Sequence, residues 1–176
     1  MTNPTQAEKI GTEVQSFIDS RRSLMLSSLT IEGEPYASYA PFAFRDGEIY
    51  VLLSEIAIHA LNLQANPTAS VLIMEDEDSA KELFARRRVS YKVQAQHIET
   101  TSPTWEEGVK ILSARLGSRI DNLSQLSDFK LFKLIPQSGR YVKGFGRAFT
   151  LEGTGTQGMG VSHLRDGHKR REPVTT

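Results

Sequence analysis

Cysteine is absent from the 176 residues. Disulfides, thiolate metal sites, iron–sulfur clusters and cysteine nucleophiles are therefore excluded, and the composition agrees with a reducing cytoplasm. Net charge is absent too, because 21 Lys and Arg balance 21 Asp and Glu. Broad electrostatic capture of nucleic acid or of a membrane surface is not favoured, although neutrality leaves room for a local basic patch. No apolar run approaches the roughly 18 to 20 residues of a membrane helix. The N-terminal stretch MTNPTQAEKIGTEV lacks a positive region followed by an apolar one, so it does not read as a signal peptide. Only four histidines occur, and no H-x-x-x-H or H-E-x-x-H spacing among them supports a zinc hydrolase. Neither a P-loop nor a Gly-x-Ser-x-Gly pattern is present.

What is there suffices for one domain core: 39% of the residues are hydrophobic. Residues 5–20 read as an amphipathic helix, with Ile10, Val14, Phe17 and Ile18 on one stripe. Strands are expected at Leu24–Thr30, Tyr36–Phe44 and Glu48–Leu53, with turns at Glu32-Gly33-Glu34 and Arg45-Asp46-Gly47. Ser54–Gln64 reads as a helix with Ser54 as N-cap, ended by Asn66-Pro67. Ala69–Met74 is a continuous apolar strand, and the acidic run Glu75–Asp78 reads as a solvated turn. Arg88–Ile98 alternates as a strand. Ser102-Pro103 starts a helix carrying Trp105, Val109, Leu112 and Leu116. A short helical stretch from Leu123 leads to a strand at Phe129–Ile135. Gln137-Ser138-Gly139 then turns the chain into a last strand, Arg140–Leu151. Many strands with few helices between them predict a mainly β fold, an antiparallel barrel flanked by helices.

The chain divides into residues 1–151, barrel and N-terminal helix, and a glycine-rich tail, residues 152–176. Gly153, Gly155, Gly158 and Gly160 make the tail costly to order. It is either a disordered terminus or a segment that orders over a ligand or a partner subunit. Its His163 and His168 are not placed by local structure, so they are the histidines free to reach a metal. His59, between apolar residues on a helix, reads as a packed histidine, and His97 as a surface one. Neutral imidazole suits iron in a haem pocket. Arg86-Arg87-Arg88 and Lys169-Arg170-Arg171 are the candidate donors to haem propionates, or else solvated clusters. Gly144-Phe145-Gly146 lacks the strand–loop–helix setting of a phosphate loop and reads as a bend.

Four pieces carry a family likeness: Pro35-Tyr36-Ala37-Ser38, Gly47–Ser54, Leu63-Gln64-Ala65-Asn66-Pro67 and Arg88-Val89-Ser90-Tyr91. With them, Leu24–Phe149 resembles the FMN-binding split barrels related to pyridoxamine-phosphate oxidase. The stretch Leu131–Phe149, followed by a tail with Gly167-His168, resembles the HugZ/HutZ-type haem-utilisation branch. The resemblance implies a homodimeric split barrel that binds haem at the dimer interface. It implies haem degradation, opening the porphyrin with O₂ and reducing equivalents from an electron donor or reductase. His168 corresponds to the iron ligand on the C-terminal loop, with His163 as the second candidate. Asp128 corresponds to a carboxylate that tunes the ligand, although its expected helix-start position also suits a cap. Arg88 corresponds to a basic residue near the haem, and Lys169 and Arg170 remain propionate donors. Flavin enzymes of this fold hold the FMN phosphate with Arg and Lys, yet neither occurs from Asp46 to Ala80. Haem therefore ranks above FMN, an enzyme above a haem carrier, and the cytoplasm is the expected location.

Overall fold

In the computed structural model, which describes residues 4–165, 167 and 169–171, the chain opens with α1, Gln6–Asp19. The Thr5 hydroxyl accepts from the Glu8 amide at 3.2 Å, and the Glu8 carboxylate accepts from the Thr5 amide at 2.5 Å. This reciprocal box satisfies two amides that no helical carbonyl reaches. Ile10, Val14, Phe17 and Ile18 are all buried, as their spacing predicts.

Nine strands follow among the described residues: β1 Ser23–Leu29, β2 Pro35–Pro41, β3 Ala43–Arg45, β4 Glu48–Ser54, β5 Thr68–Met74, β6 Arg88–Ile98, β7 Phe129–Gly144, β8 Arg147–Glu152 and β9 Val161–Leu164. Three more α-helices interrupt them, α2 Ile58–Ala65, α3 Pro103–Leu116 and α4 Arg119–Leu123, with single-turn helices at Glu77–Ser79 and Leu83–Ala85. The strands pair antiparallel in the order β2-β1-β5-β6-β7-β4-β3, with β8 and β9 continuing from β7. The mainly antiparallel, helix-flanked architecture is the one expected from the sequence.

The split originates in β7. One of its edges runs along β6 throughout. The other edge is shared: Phe129–Leu134 pairs with β4, and Ser138–Gly144 pairs with β8. Between the halves, Lys92 faces Ser138 while Val93 faces Pro136, so Gln137 is an extra residue, a bulge. Proline has no amide to give the ladder, which suits it to this point. The bulge shifts parity, so that Phe132, Leu134 and Tyr141 all face the main core. The turn expected at Gln137–Gly139 is thus a bulge inside one long strand, and the chain reverses instead at Phe145-Gly146.

Three further boundaries differ from expectation. Tyr36–Phe44 is broken at the buried Phe42, because β2 pairs with β1 whereas β3 pairs with β4. Ser54 ends β4 and caps no helix; α2 starts after Ala57 without a side-chain cap. The helix expected from Leu123 ends there instead. By contrast, Ser102 caps α3 with Pro103 in the first turn, as read.

Arg115 of α3 ties the helical layer together. Its Nη2 donates to the carbonyl oxygens of Asp19 and Arg21, at the C-terminal end of α1. Those carbonyls have no helical partner, and a cation there also meets the negative end of the helix dipole. Arg115→Ala is expected to lower the free energy of urea unfolding by about 1 kcal/mol, with Arg115→Lys recovering part of it.

Candidate functional site

A cleft opens on the outer face of the sheet where β6, β7, β8 and β9 lie side by side. Alternation fixes which residues it shows. Arg88 faces Val142, Val142 faces Ala148, and Ala148 faces Leu164. In the next row, Ser90 faces Arg140 and Arg140 faces Thr150. Phe84, on a single-turn helix at Leu83–Ala85, and the β7–β8 turn with Phe145 and Arg147 rim this face. Together they line a cleft of about 510 Å³.

The cleft gathers three guanidinium groups, those of Arg88, Arg140 and Arg147. Five other cations among the described residues pair with carboxylates: Arg21 with Asp76, Arg86 with Glu77, Lys130 with Glu55, Lys133 with Glu48 and Lys143 with Glu13. Among the described residues, no carboxylate pairs with the three cleft arginines. Arg88 Nη1 donates, among the described residues, only to the carbonyl of Arg86, at 2.8 Å. Neighbouring guanidiniums without a counter-charge repel one another, so an anion entering the cleft gains from all three. The exposed ring of Phe84, 89% accessible, supplies an apolar wall.

The triplet Arg86–Arg88 therefore divides into three roles. Arg86 donates to the Glu75 carbonyl at 2.5 Å beside Glu77. Arg87 lies over the Phe17 ring at 5.5 Å. Only Arg88 enters the cleft. The acidic run Glu75–Asp78 serves as a surface turn that holds Arg21 and Arg86, and among the described residues no cluster of metal-ligating side chains occurs.

The other expected site residues are not gathered in one place. His163 sits on β9 opposite Phe149, its ring edge-on at 4.9 Å. Phe149 belongs to the main core, so His163 lies on the sheet face opposite the cleft, which Leu164 lines. Lys169 and Arg170 are exposed beyond β9. His168 lies outside the described residues. Asp128 is not at a helix start: it precedes β7, where its Oδ2 accepts from the Ser54 hydroxyl at 2.5 Å and its carbonyl accepts from the Glu55 amide at 2.8 Å. It braces the β4–α2 corner, beside the exposed Ile56 and Leu126. From there to Val142 the strand runs roughly 3.3 Å per residue, on the order of 40 Å. Asp128 and the cleft thus lie toward opposite ends of β7. Sequence reading passed over Arg140 and Arg147. Their signal was available in the alternation of Arg140 and Val142 on a strand and in a basic residue just after a glycine turn.

The two remaining histidines are structural. His97 is half-buried, with its ring against Phe132 and Nδ1 3.2 Å from Glu99, so it is more than a surface residue. His59 on α2 packs on β2, with Nδ1 2.9 Å from the Ser38 hydroxyl. Burial lowers its pKa below the ordinary value. The unfolded chain then binds a proton that the folded one resists, so stability is full above pH about 6.5. It declines as the pH falls from there through the folded value. His59→Gln, which can still bond Ser38, is expected to flatten that decline in urea midpoints measured between pH 7.5 and 5.

Fold and cleft together define a split-barrel protein with an arginine-lined cleft on its outer face. The chain belongs to the pyridoxamine 5'-phosphate oxidase family, whose pattern matches residues 10–143, and within it to the HutZ type. It is 40% identical over 158 residues to haem oxygenase HutZ of Vibrio cholerae serotype O1, covering 90% of this chain and 89% of that protein. A crystal structure of HutZ, described as the haem storage protein of Vibrio cholerae, superposes with a TM-score of 0.68 at 42% identity, over 70% of this chain and 87% of that one. The crystal structure of Campylobacter jejuni ChuZ superposes with a TM-score of 0.78 at 31% identity, over 97% and 68%. No helix among the described residues is long and apolar enough to cross a membrane.

Proposed function

We propose that this chain is a cytoplasmic, homodimeric haem-degrading oxygenase, with haem held against the Arg88–Arg140–Arg147 cleft. The carrying observation is the set of three guanidiniums, paired with no carboxylate among the described residues, beside an exposed aromatic wall. Haem is a flat apolar ring with two carboxylates, and the donor set fits both parts. Lys169 and Arg170 follow the last residue of β9 by five and six positions, within chain reach of the same rim, and in this reading add positive charge there. In this reading residues 1–151 are the scaffold and residues 152–176 the ligand-bearing arm.

Chain length supports the assignment of His168 as iron ligand. Leu164 lines the cleft, and His168 is four residues further on. Four residues span at most about 14 Å. His168 can therefore reach iron over its own subunit's cleft, whereas its own Asp128 is out of reach. The carboxylate that orients His168 then comes from Asp128 of a second copy. Such an acceptor fixes the imidazole tautomer and strengthens its donation to iron. Bound haem supplies the oxygen chemistry, with electrons from a reductant or reductase. FMN is the poorer fit, because β4, α2 and β5 bring no Lys or Arg for a phosphate dianion.

The test is a haem titration followed in the visible region, then ascorbate in air with catalase present. A saturable Soret band that is lost with formation of a bilin is the expected result. A Soret band that persists under reductant marks a carrier. No Soret band at all removes the haem reading.

A further inference from the structure

The glycine-rich loop at residues 153–160 is docked rather than loose, and its docking partner is α1. At Gly11, on α1, an added Cβ would lie 2.4 Å from the Gly158 nitrogen and 2.8 Å from the Thr156 carbonyl oxygen. At Gly158, an added Cβ would lie 2.7 Å from the Glu8 nitrogen. Both clashes are with backbone, which cannot swing aside as a flexible side chain would. Helix and loop therefore touch backbone to backbone, which only glycine permits on both sides.

A second bond reaches the loop through the barrel. Tyr91 of β6 is 1% exposed, and its hydroxyl donates to the Thr154 carbonyl at 2.7 Å. Its ring lies over Gly139, the residue it faces on β7, where a Cβ would come within 2.5 Å of the ring. The Gly153 amide donates to the Gln137 carbonyl at 2.9 Å, so the bulge of β7 holds the same loop. Beyond the loop the chain enters β9, whose last residue, Leu164, lines the arginine cleft.

We propose that Gly11, Gly158 and Tyr91 form a clamp that fixes the exit of the C-terminal arm at the cleft rim. They are positioning residues: they touch no ligand and act through β9. The docking half of the proposal stands without a ligand, and the ligand half rests on the haem reading above.

Two variants separate the clamp from general stability. Tyr91→Phe keeps the ring on Gly139 and removes only the bond to Thr154. Gly11→Ala improves the helix propensity of α1 while expelling the loop. In both, amide exchange at Val161–Leu164 is expected to rise roughly fivefold or more, with exchange in the β5–β6 ladder unchanged. Haem affinity is expected to fall and the Soret band to change shape, because His168 is less well placed. Wild-type exchange in β9 for both variants overturns the clamp. Faster exchange with unaltered haem affinity and Soret band overturns the positioning role. If the wild-type protein takes up no haem, the haem reading fails with the ligand half, and the exchange data decide the docking half.

Discussion

Replacing His168 by alanine is expected to lower haem affinity by at least about 100-fold and to shift the Soret band, since loss of even an outer-shell partner of a metal ligand costs 10- to 100-fold. The matched control is His163→Ala. His163 packs edge-on against Phe149, on the sheet face away from the cleft. Its removal is expected to have a far smaller effect, limited to what a loosened β9 passes on to the placement of His168. The pair of variants makes the assignment sharp, because both histidines lie on the same short arm and His163 is committed to the sheet face away from the cleft. Normal haem binding by His168→Ala together with its loss in His163→Ala would reverse the assignment. Asp128→Asn belongs to the same experiment. It keeps a side-chain partner for Ser54, and its effect on the Soret band should vanish when His168 is already absent.

Much of the scaffold was legible because local rules dictate it. The α1 stripe and the Ser102-Pro103 start of α3 need only near neighbours in sequence. So does the alternation of β6, whose bounds match the structure. The failures share one physical origin: a distant partner overrides the local signal. Gln137-Ser138-Gly139 looks like a turn, yet Gly139 is there so that the Tyr91 ring can lie on it from the next strand. Ser54 looks like a helix cap, yet its hydroxyl is taken by Asp128, 74 residues away. Four glycines in residues 153–160 look like a free tether, yet two backbones meet at Gly11 and Gly158. At the cleft, Arg88 was singled out within the Arg86–Arg88 triplet and again through resemblance, and it lines the cleft. Arg140 and Arg147 were missed because a sequence does not show which cations lack a carboxylate partner. Only the fold shows that Arg86 is held at the acidic turn while the three cleft arginines are not.

Those arginines carry the second large effect. Arg140 and Arg147 are exposed, so exchanging them for alanine is expected to leave stability within about 0.5 kcal/mol. A hydrogen bond to a charged group contributes about 1.5 to 3 kcal/mol when well shielded, and solvent exposure reduces that. About tenfold in haem affinity per arginine is then expected, and roughly 30- to 100-fold for the Arg140→Ala/Arg147→Ala double variant, less than additive because both act on one ligand. The effect should shrink with salt, since charges near the surface are screened over about 8 Å at physiological ionic strength. The dimethyl ester of haem provides the decisive comparison, because it keeps the ring and iron while its side chains carry no charge. The wild-type protein should prefer the free acid, and the double variant should lose that preference with its affinity for the ester nearly unchanged. An equal fall for acid and ester would mean that the arginines shape the cleft instead of pairing with carboxylates. The propionates would then have to be sought at Lys169 and Arg170, beyond β9 on the arm itself.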